Sequence, residues 1–269
     1  MIADPHAVAE ALRAVARDEI LPRFGNLKSH EITEKNRGEV VTVADEAAEA
    51  ALTEALGPLL PGAGVVGEEG AAKAPESLDA LAGPAPVWII DPVDGTQNFA
   101  DGDDCFAVIV ALAVDGVTEA GWIHEPIADT TVWARRGAGA WENGRRLTIG
   151  DGVAFAEFKG SLNPRFRRRL EDARRRDAAS LPTDICRYGC VGAEYADLAR
   201  GKLQFARYAG RLKPWDHAAG VLIHAEAGGH HGIVETDAAY APAAALPQQT
   251  LLLAPRPADW QRLSDLLST

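Results

Sequence analysis

The chain has 269 residues, 47% of them apolar and 25% charged, with a formal net charge of −12 at pH 7. That length accommodates one large domain or two lobes, and the composition is that of a soluble globular protein. The acidic balance argues against general nucleic-acid binding, and no apolar run approaches the ~18 residues that would span a bilayer. Charges at Asp4, Arg13, Arg17, Asp18 and Glu19 leave no signal-peptide core. Three cysteines, Cys105, Cys186 and Cys190, form no even disulfide framework, which points to a reducing cytoplasm. Cys186 and Cys190 read as plain thiols, since no second ligand pair is spaced for a structural zinc.

In chain order, Val8, Leu12 and Val15 fall on one face of an N-terminal helix. Ala44, Ala47, Ala48, Ala51, Leu52, Ala55 and Leu56 recur at three- and four-residue steps and predict a second helix. Thr42 and Asp45 suit its capping box, which puts Asp45 in the first turn, where the helix dipole favours a carboxylate. Residues 70–86, rich in Pro, Gly and Ala, read as a loop. Strand patterns follow at 87–90, 106–114, 117–123 and 130–134, with hairpin turns at Asp115-Gly116 and Asn143-Gly144. Successive strands joined by tight turns imply antiparallel pairing and exclude a nucleotide-binding doubly wound sheet. From about residue 150 strands, helices and loops mix. Leu222 and Ile223 lie on a helix ending near Gly228-Gly229. Residues 250–254 read as a buried strand, and 259–267 as a terminal helix anchored by Trp260, Leu263 and Leu267.

The chemistry concentrates in the stretch from Trp88 to Phe99, WIIDPVDGTQNF. An apolar run ends on Asp91, Asp94 follows three residues later, and Gly95-Thr96 opens a helix. At ~5 Å two unit charges repel by on the order of 3 kcal/mol at an effective dielectric of ~20, so acids this close call for a cation between them. Mg2+ takes one or two carboxylates together with substrate phosphate, and amides at a helix start suit a phosphate. The stretch points to phosphate-ester chemistry. Two other segments join it: Val65-Val66-Gly67-Glu68-Glu69-Gly70, an apolar run ending in paired acids, and the long WDHAAGVLIHAEAGG segment from Trp215 to Gly229.

Together these segments resemble the inositol monophosphatase family of Mg2+-dependent, lithium-sensitive phosphomonoesterases, related to fructose bisphosphatases and 3′-phosphonucleotide phosphatases. The resemblance extends to Asp45 within Val41–Ala47 and to the segment Gly137–Gly144. It implies a layered αβαβα sandwich of mixed α+β and α/β character. An N-terminal α+β lobe would cover residues 1–150, a C-terminal α/β lobe residues 151–269, with the site between them. By the family pattern Glu68, Asp91 and the carbonyl of Val93 hold one metal, and Asp91, Asp94 and Asp216 hold another, within a site of two or three Mg2+. Thr96, paired with Asp45 or Glu68, orients the nucleophilic water. The amides of Gly95 and Thr96 contact phosphate oxygens. Asp216 doubles as an N-cap candidate, and Glu69 reads as a supporting or exposed acid. A homodimer is implied as well.

For the leaving alcohol the resemblance points to Ser161 and the backbone around Gly189-Cys190-Val191, with Asp94, Lys213 and Asp216. An inositol-1-phosphate-like substrate is the first expectation; histidinol phosphate, fructose 1,6-bisphosphate and 3′-phosphonucleotides are alternatives. Inositol-specific relatives carry a glutamate a few residues before the Trp-Asp motif. Residues 207–214, RYAGRLKP, have no acid there, and a rim of Arg207, Arg211 and Lys213 would suit a second phosphate. A separate run of arginines, Arg165 to Arg176, reads as a solvated helix face. It also supports a rival, non-enzymatic reading as an RNA- or protein-binding regulator, against which the intact set of Asp45, Glu68, Asp91, Asp94, Thr96 and Asp216 stands.

Overall fold

The computed structural model describes residues 3–36, 39–150, 152–177, 179–242 and 248–267. Asp4 caps α1 (Pro5–Val15) by accepting the His6 amide at 3.0 Å, and Val8, Leu12 and Val15 form its buried face as their spacing predicts. An antiparallel pair, β1 (Ile32–Asn36) and β2 (Glu39–Thr42), leads into α2 (Val43–Leu56). The expected capping box is formed: Thr42 Oγ1 accepts the Ala44 amide at 3.1 Å, and Asp45 Oδ2 accepts the Thr42 amide at 2.8 Å.

Next come β3 (Gly64–Gly67), α3 (Glu68–Lys73), β4 (Val87–Asp94) and α4 (Thr96–Asp101). Residues 70–86 are therefore not a plain loop. They hold the end of α3 and a 3-10 segment over Pro75–Ala82. Helix α3 forms because α2 supplies the cap its own sequence lacks. The Glu49 carboxylate accepts the Glu69 and Gly70 amides at 2.8 and 2.7 Å.

Strands β5 (Ala107–Val114), β6 (Val117–Glu125), β7 (Thr130–Arg135), β8 (Gly139–Glu142) and β9 (Arg145–Leu147) complete a seven-stranded sheet in the order β3-β4-β5-β6-β7-β8-β9. Only β3 and β4 pair in parallel there. Both expected hairpin turns have positive φ at their central residues, 52° and 71° at Asp115-Gly116 and 50° and 75° at Asn143-Gly144.

The remaining elements are β10 (Lys159–Ser161), α5 (Pro164–Arg174), β11 (Asp184–Cys186), α6 (Val191–Ala199), β12 (Phe205–Arg211), α7 (Pro214–Glu226), β13 (His230–Ile233), β14 (Gln248–Ala254) and α8 (Pro257–Leu267). Their strands form a mixed five-stranded sheet in the order β11-β10-β12-β14-β13.

Both faces of the large sheet are covered, which is why β4 and β5 read as unbroken apolar runs. Trp88, Ile90, Val108, Val110 and Trp122 pack with α1 and α2. Ile89, Ile109, Ala111 and Ile123 face the other way, into a core shared with α6, α7 and Leu251 and Leu253 of the small sheet. Beyond that sheet, Phe205 and Leu252 meet Phe166 and Leu170 of α5 and Trp260 and Leu263 of α8. The layers run α, β, α, β, α, as the resemblance implies. Arg200 fastens the end of α6 to the large sheet: its Nε donates to Glu142 Oε1 at 2.9 Å, its Nη1 to Asp197 Oδ1 at 3.1 Å, and its Nη2 reaches Glu125.

Helix α7 lies so close to β6 that a Cβ added at Gly121 would stand 2.7 Å from Ala219 Cα. Gly121→Val therefore overpacks this contact and is expected to cost about 1–3 kcal/mol, read as a lower midpoint in urea or thermal unfolding. An unchanged midpoint would mean that α7 moves aside freely.

Candidate active site

The site begins with a fault in β4. Asp91 pairs with Ile109 and Asp94 with Ala107, so three steps along β4 oppose two along β5. In a regular strand, residues three apart face opposite sides of the sheet. The extra residue in the Pro92-Val93 step shifts the phase, as a bulge does, and brings Asp94 round to the side of α6. There its Oδ2 accepts the Gly192 amide at 2.6 Å and the Cys190 thiol at 2.9 Å. The strand predicted to end at Ile90 thus continues through both acids.

Gly95 follows with φ 87°, a left-handed conformation, and a Cβ there would come within 3.0 Å of the Cys105 carbonyl and 3.1 Å of Cys190 Cβ. Only glycine fits this turn. Thr96 opens α4, and its hydroxyl lies 3.1 Å from Asp45 Oδ1 and 2.9 Å from the Val93 carbonyl. The other oxygen of Asp45 takes the Thr42 amide and, at 2.7 Å, the Thr42 hydroxyl. The expected contact between Asp45 and Thr96 is present, and Glu68 takes no part in it.

Strands β3 and β4 run in parallel with Gly67 beside Ile90, so Glu68 emerges next to Asp91. Glu68 has Lys213 Nζ at 3.7 Å and Lys35 Nζ at 3.9 Å. Glu69, expected to be supporting or exposed, is buried and ion-paired with Lys35. Asp216 sits in the first turn of α7 after Pro214; the residue in the N-cap position is Lys213, which makes no side-chain cap, so Asp216 is not the N-cap.

These carboxyls share one field. Burial pushes the Asp91 pKa far up, and Glu68, Asp94, Asp216 and Asp45 push it further. Burial likewise raises Asp216, with Glu68 adding to the rise. Burial raises Glu68, while Lys213 and Lys35 pull it back. Burial would lower Lys213, but Glu68, Asp216 and Glu39 raise it above the usual lysine range. Among the described residues no three His, Cys, Asp or Glu side chains are gathered as a ready ligand shell. Glu68, held beside its lysines, accounts for part of that. The donor chemistry nevertheless fits a hard divalent cation: the convergent groups are all oxygen acids, and Asp91 Oδ1 is buried with no hydrogen-bond partner.

A cavity of about 360 Å³ opens beyond these acids. Asp216, Ser161, Gly189 and Cys190 line it, so four of the residues expected to meet the leaving group do come together. Ser161 donates to Glu194 Oε1 at 2.7 Å. Glu194, to which no sequence signal pointed, also accepts the Tyr188 amide at 3.0 Å and the Tyr208 hydroxyl at 2.8 Å. The basic segment divides. Arg207 and Arg211 line this cavity together with Arg187, which sequence reasoning missed. Lys213 instead lines a neighbouring cavity with Lys35, Glu39 and Glu68, with its Nζ 3.2 Å from Glu39 Oε1. In α5, Phe166 and Leu170 are buried, while Arg167 pairs along the helix with Glu171 at 3.2 Å.

Two of the acids make the protein's stability pH-dependent. Burial raises the pKa of Asp45 to about 7 and of Asp94 to about 6, from 3.8. Both carboxyls bind their protons more tightly in the folded chain than in the unfolded one. These two groups therefore contribute a stability that falls as pH rises through their folded pKa values. His124, His217, His224 and His231, whose pKa values burial lowers to about 4, 3, 3 and 4 from 6.5, contribute the opposite slope below about pH 6.5. The acid contribution is isolated by Asp45→Asn: in chelator, the melting temperature of this variant relative to the unsubstituted protein should be higher at pH 7.5 than at pH 5. A difference that is the same at both pH values would show that Asp45 is better compensated than its burial indicates.

The model of the inositol monophosphatase family matches residues 4–263. The chain is 33% identical to an inositol-1-monophosphatase of Rhizobium meliloti, over 83% of this chain and 81% of that protein. It is 30% identical to a fructose-1,6-bisphosphatase/inositol-1-monophosphatase of Thermotoga maritima, over 73% of each, and 29% identical to the Nus factor SuhB of Xylella fastidiosa, over 80% and 76%. Among solved structures, an IMPase of Thermotoga maritima superposes with a TM-score of 0.80 at 24% identity, covering 97% of this chain and 94% of the other. With a family match over nearly its whole length and the family's layered fold, the chain belongs to the inositol monophosphatase family of phosphoric monoester hydrolases.

Proposed function

We propose that the protein is an Mg2+-dependent phosphomonoesterase that releases phosphate from a small phosphorylated metabolite. The observation that carries this reading is Asp91: a fully buried carboxyl with an unpartnered oxygen, in the field of four further acids, beside the Gly95-Thr96 turn. Asp91, Asp94, Asp216, Glu68 and the Val93 carbonyl would hold two or three Mg2+. Glu68 would have to leave Lys35 and Lys213 to join them. When bound, the metal neutralises phosphate oxygens and the charge that develops on the departing alkoxide.

The chain's own groups do the rest. The Thr96 hydroxyl has one proton and two acceptors, Asp45 Oδ1 and the Val93 carbonyl. Donating that proton to Asp45 leaves the Thr96 lone pairs free to hold and orient a water. The amides of Gly95 and Thr96 face the transferred phosphate, and Ser161, Gly189 and Cys190 border the alcohol. The names of the relatives support an inositol-1-phosphate-like substrate as the starting point, and the family resemblance adds lithium sensitivity and a cytoplasmic homodimer. The Nus-factor relative keeps a regulatory role for the α5 arginines as the competing reading.

Purified protein given Mg2+ should release phosphate from an aryl phosphate and stop when chelator is added; no release with metal present would favour the regulatory reading. Asp91→Asn should remove nearly all activity and weaken Mg2+ binding in calorimetric titration while the fold survives. Wild-type affinity and turnover in that variant would end the metal assignment. Thr96→Ala should lower turnover by ~10²-fold or more if the hydroxyl positions the attacking water, with Mg2+ affinity retained. An unchanged rate would take Thr96 out of the mechanism.

A further inference from the structure

The chemistry above gives no step to the two thiols beside the Gly95 turn. Cys105 lies half-buried between α4 and β5, and Cys190 is the buried residue that caps α6. Two contacts hold their segments together. A Cβ on Gly95 would meet the Cys105 carbonyl at 3.0 Å and Cys190 Cβ at 3.1 Å, so the two residues close on one point from different elements. Asn98 Nδ2 donates to the Cys105 carbonyl and to the Tyr188 carbonyl, both at 2.8 Å. It thereby ties the chain at Cys105 to the chain just before Cys190. The two thiols are themselves in hydrogen-bond contact. Cys186 stands apart, its thiol donating to the Gly160 carbonyl at 3.5 Å within the small sheet.

The Cys190 thiol has one proton and two acceptors, Asp94 Oδ2 at 2.9 Å and the Cys105 sulfur. Directed at Cys105, that proton holds the Cys105 pKa below the ordinary thiol value, against burial and the charges of Asp103, Asp94 and Asp104. The thiolate is the form that reacts with a peroxide, and Cys105 is the member of the pair that solvent reaches. Cys190 stands behind it, in place to resolve the oxidised sulfur. Their backbones are already fixed by Asn98 and Gly95, so joining the sulfurs asks for little movement.

We propose that Cys105 and Cys190 are an oxidative modification site, where a peroxide drives a reversible disulfide that takes a hydrogen bond from Asp94 and disables the acid cluster. The Cys105 thiolate attacks one peroxide oxygen, the O–O bond breaks, and a sulfenic acid forms as hydroxide leaves. The Cys190 sulfur then attacks the Cys105 sulfur, forming the S–S bond and releasing water. Two thiols are oxidised and one hydrogen peroxide is reduced to two waters. The bonded Cys190 sulfur carries no proton, so Asp94 Oδ2 keeps only the Gly192 amide at 2.6 Å. The effect on turnover rests on the phosphatase reading above; the disulfide itself does not.

The test treats the full-length, Mg2+-loaded protein with hydrogen peroxide and follows thiols and turnover together. Free thiols counted after denaturation should fall from three to one. Peptide mapping without reductant should find Cys105 joined to Cys190 and Cys186 free. Hydrolysis of an aryl phosphate should fall at least about tenfold as the bond forms, as loss of a hydrogen bond to a buried carboxyl implies, and should recover in dithiothreitol. Cys105→Ser should start at the unsubstituted rate and keep it through the same treatment. Three free thiols after peroxide, or a link to Cys186 instead, overturns the proposal. So does a complete Cys105–Cys190 link with unchanged turnover, or an equal loss of turnover in Cys105→Ser. If the untreated protein hydrolyses no aryl phosphate, the phosphatase reading fails and the thiol count decides alone: a Cys105–Cys190 link upholds the pair, and three free thiols end it.

Discussion

The structure turns on like charges buried together at the end of one strand. Apolar residues on both faces carry β4 deep between two helical layers, and the chain then places Asp91 and Asp94 where water cannot screen them. The bulge between them decides which side the second acid takes. Without it Asp94 would point toward the core beneath α1 and α2, with no donor to meet it. With it, Asp94 meets the start of α6, and the neighbourhood is cut to fit. A Cβ on Gly192 would come within 3.1 Å of Asp94 Oδ2 and 3.0 Å of Ala107 Cβ, so a larger residue would push the helix off its carboxylate.

The surrounding chain offsets part of this repulsion and leaves part standing. Lys35 and Lys213 flank Glu68, Thr42 satisfies one oxygen of Asp45, and Cys190 and Gly192 satisfy one oxygen of Asp94. Asp91 receives no such help at Oδ1. A fold selected for stability alone would have placed an apolar residue there, since a buried unpaired acid costs free energy that hydrophobic packing would not. The unpaired acid sits where the carboxyls converge, which is the pattern of a site kept for chemistry at the expense of stability.

Much of this is written locally. The Thr42–Asp45 capping box, the hairpin turns at Asp115-Gly116 and Asn143-Gly144, and the apolar run ending on Asp91 all depend on residues within a few positions of one another, so sequence order reveals them. Features that depend on distant partners were hidden. Helix α3 could not be read from a Gly- and Ala-rich interval because its cap comes from Glu49, some twenty residues earlier in another helix. Glu69 looked like half of a surface pair until Lys35 closed over it. Arg207, Arg211 and Lys213 looked like one rim because they are neighbours in sequence. Between Arg211 and Lys213 the chain leaves β12 and turns into the cap of α7, and that change of direction sends the lysine to Glu68 and leaves the arginines at the far cavity. Arg187 gave no signal, since nothing in its own segment marks it as lining the cavity.

The same division resolves an apparent conflict in the electrostatics. A chain with a net charge of −12 should repel an anionic metabolite, and its buried acids should repel a phosphate most of all. At physiological ionic strength, however, charges more than ~8 Å apart are largely screened, so an approaching anion responds to the groups at the cavity mouth rather than to the total. Those groups include the exposed Arg187 and Arg211, with Arg207 behind them. A locally positive cavity mouth favours an anion there whatever the total charge. The acids deeper in make that place unfavourable for a phosphate until a cation is bound among them. The basic and the acidic ends of this region are thus provided by different parts of the fold: β12 and the segment before α6 on one side, the end of β4 and the start of α7 on the other.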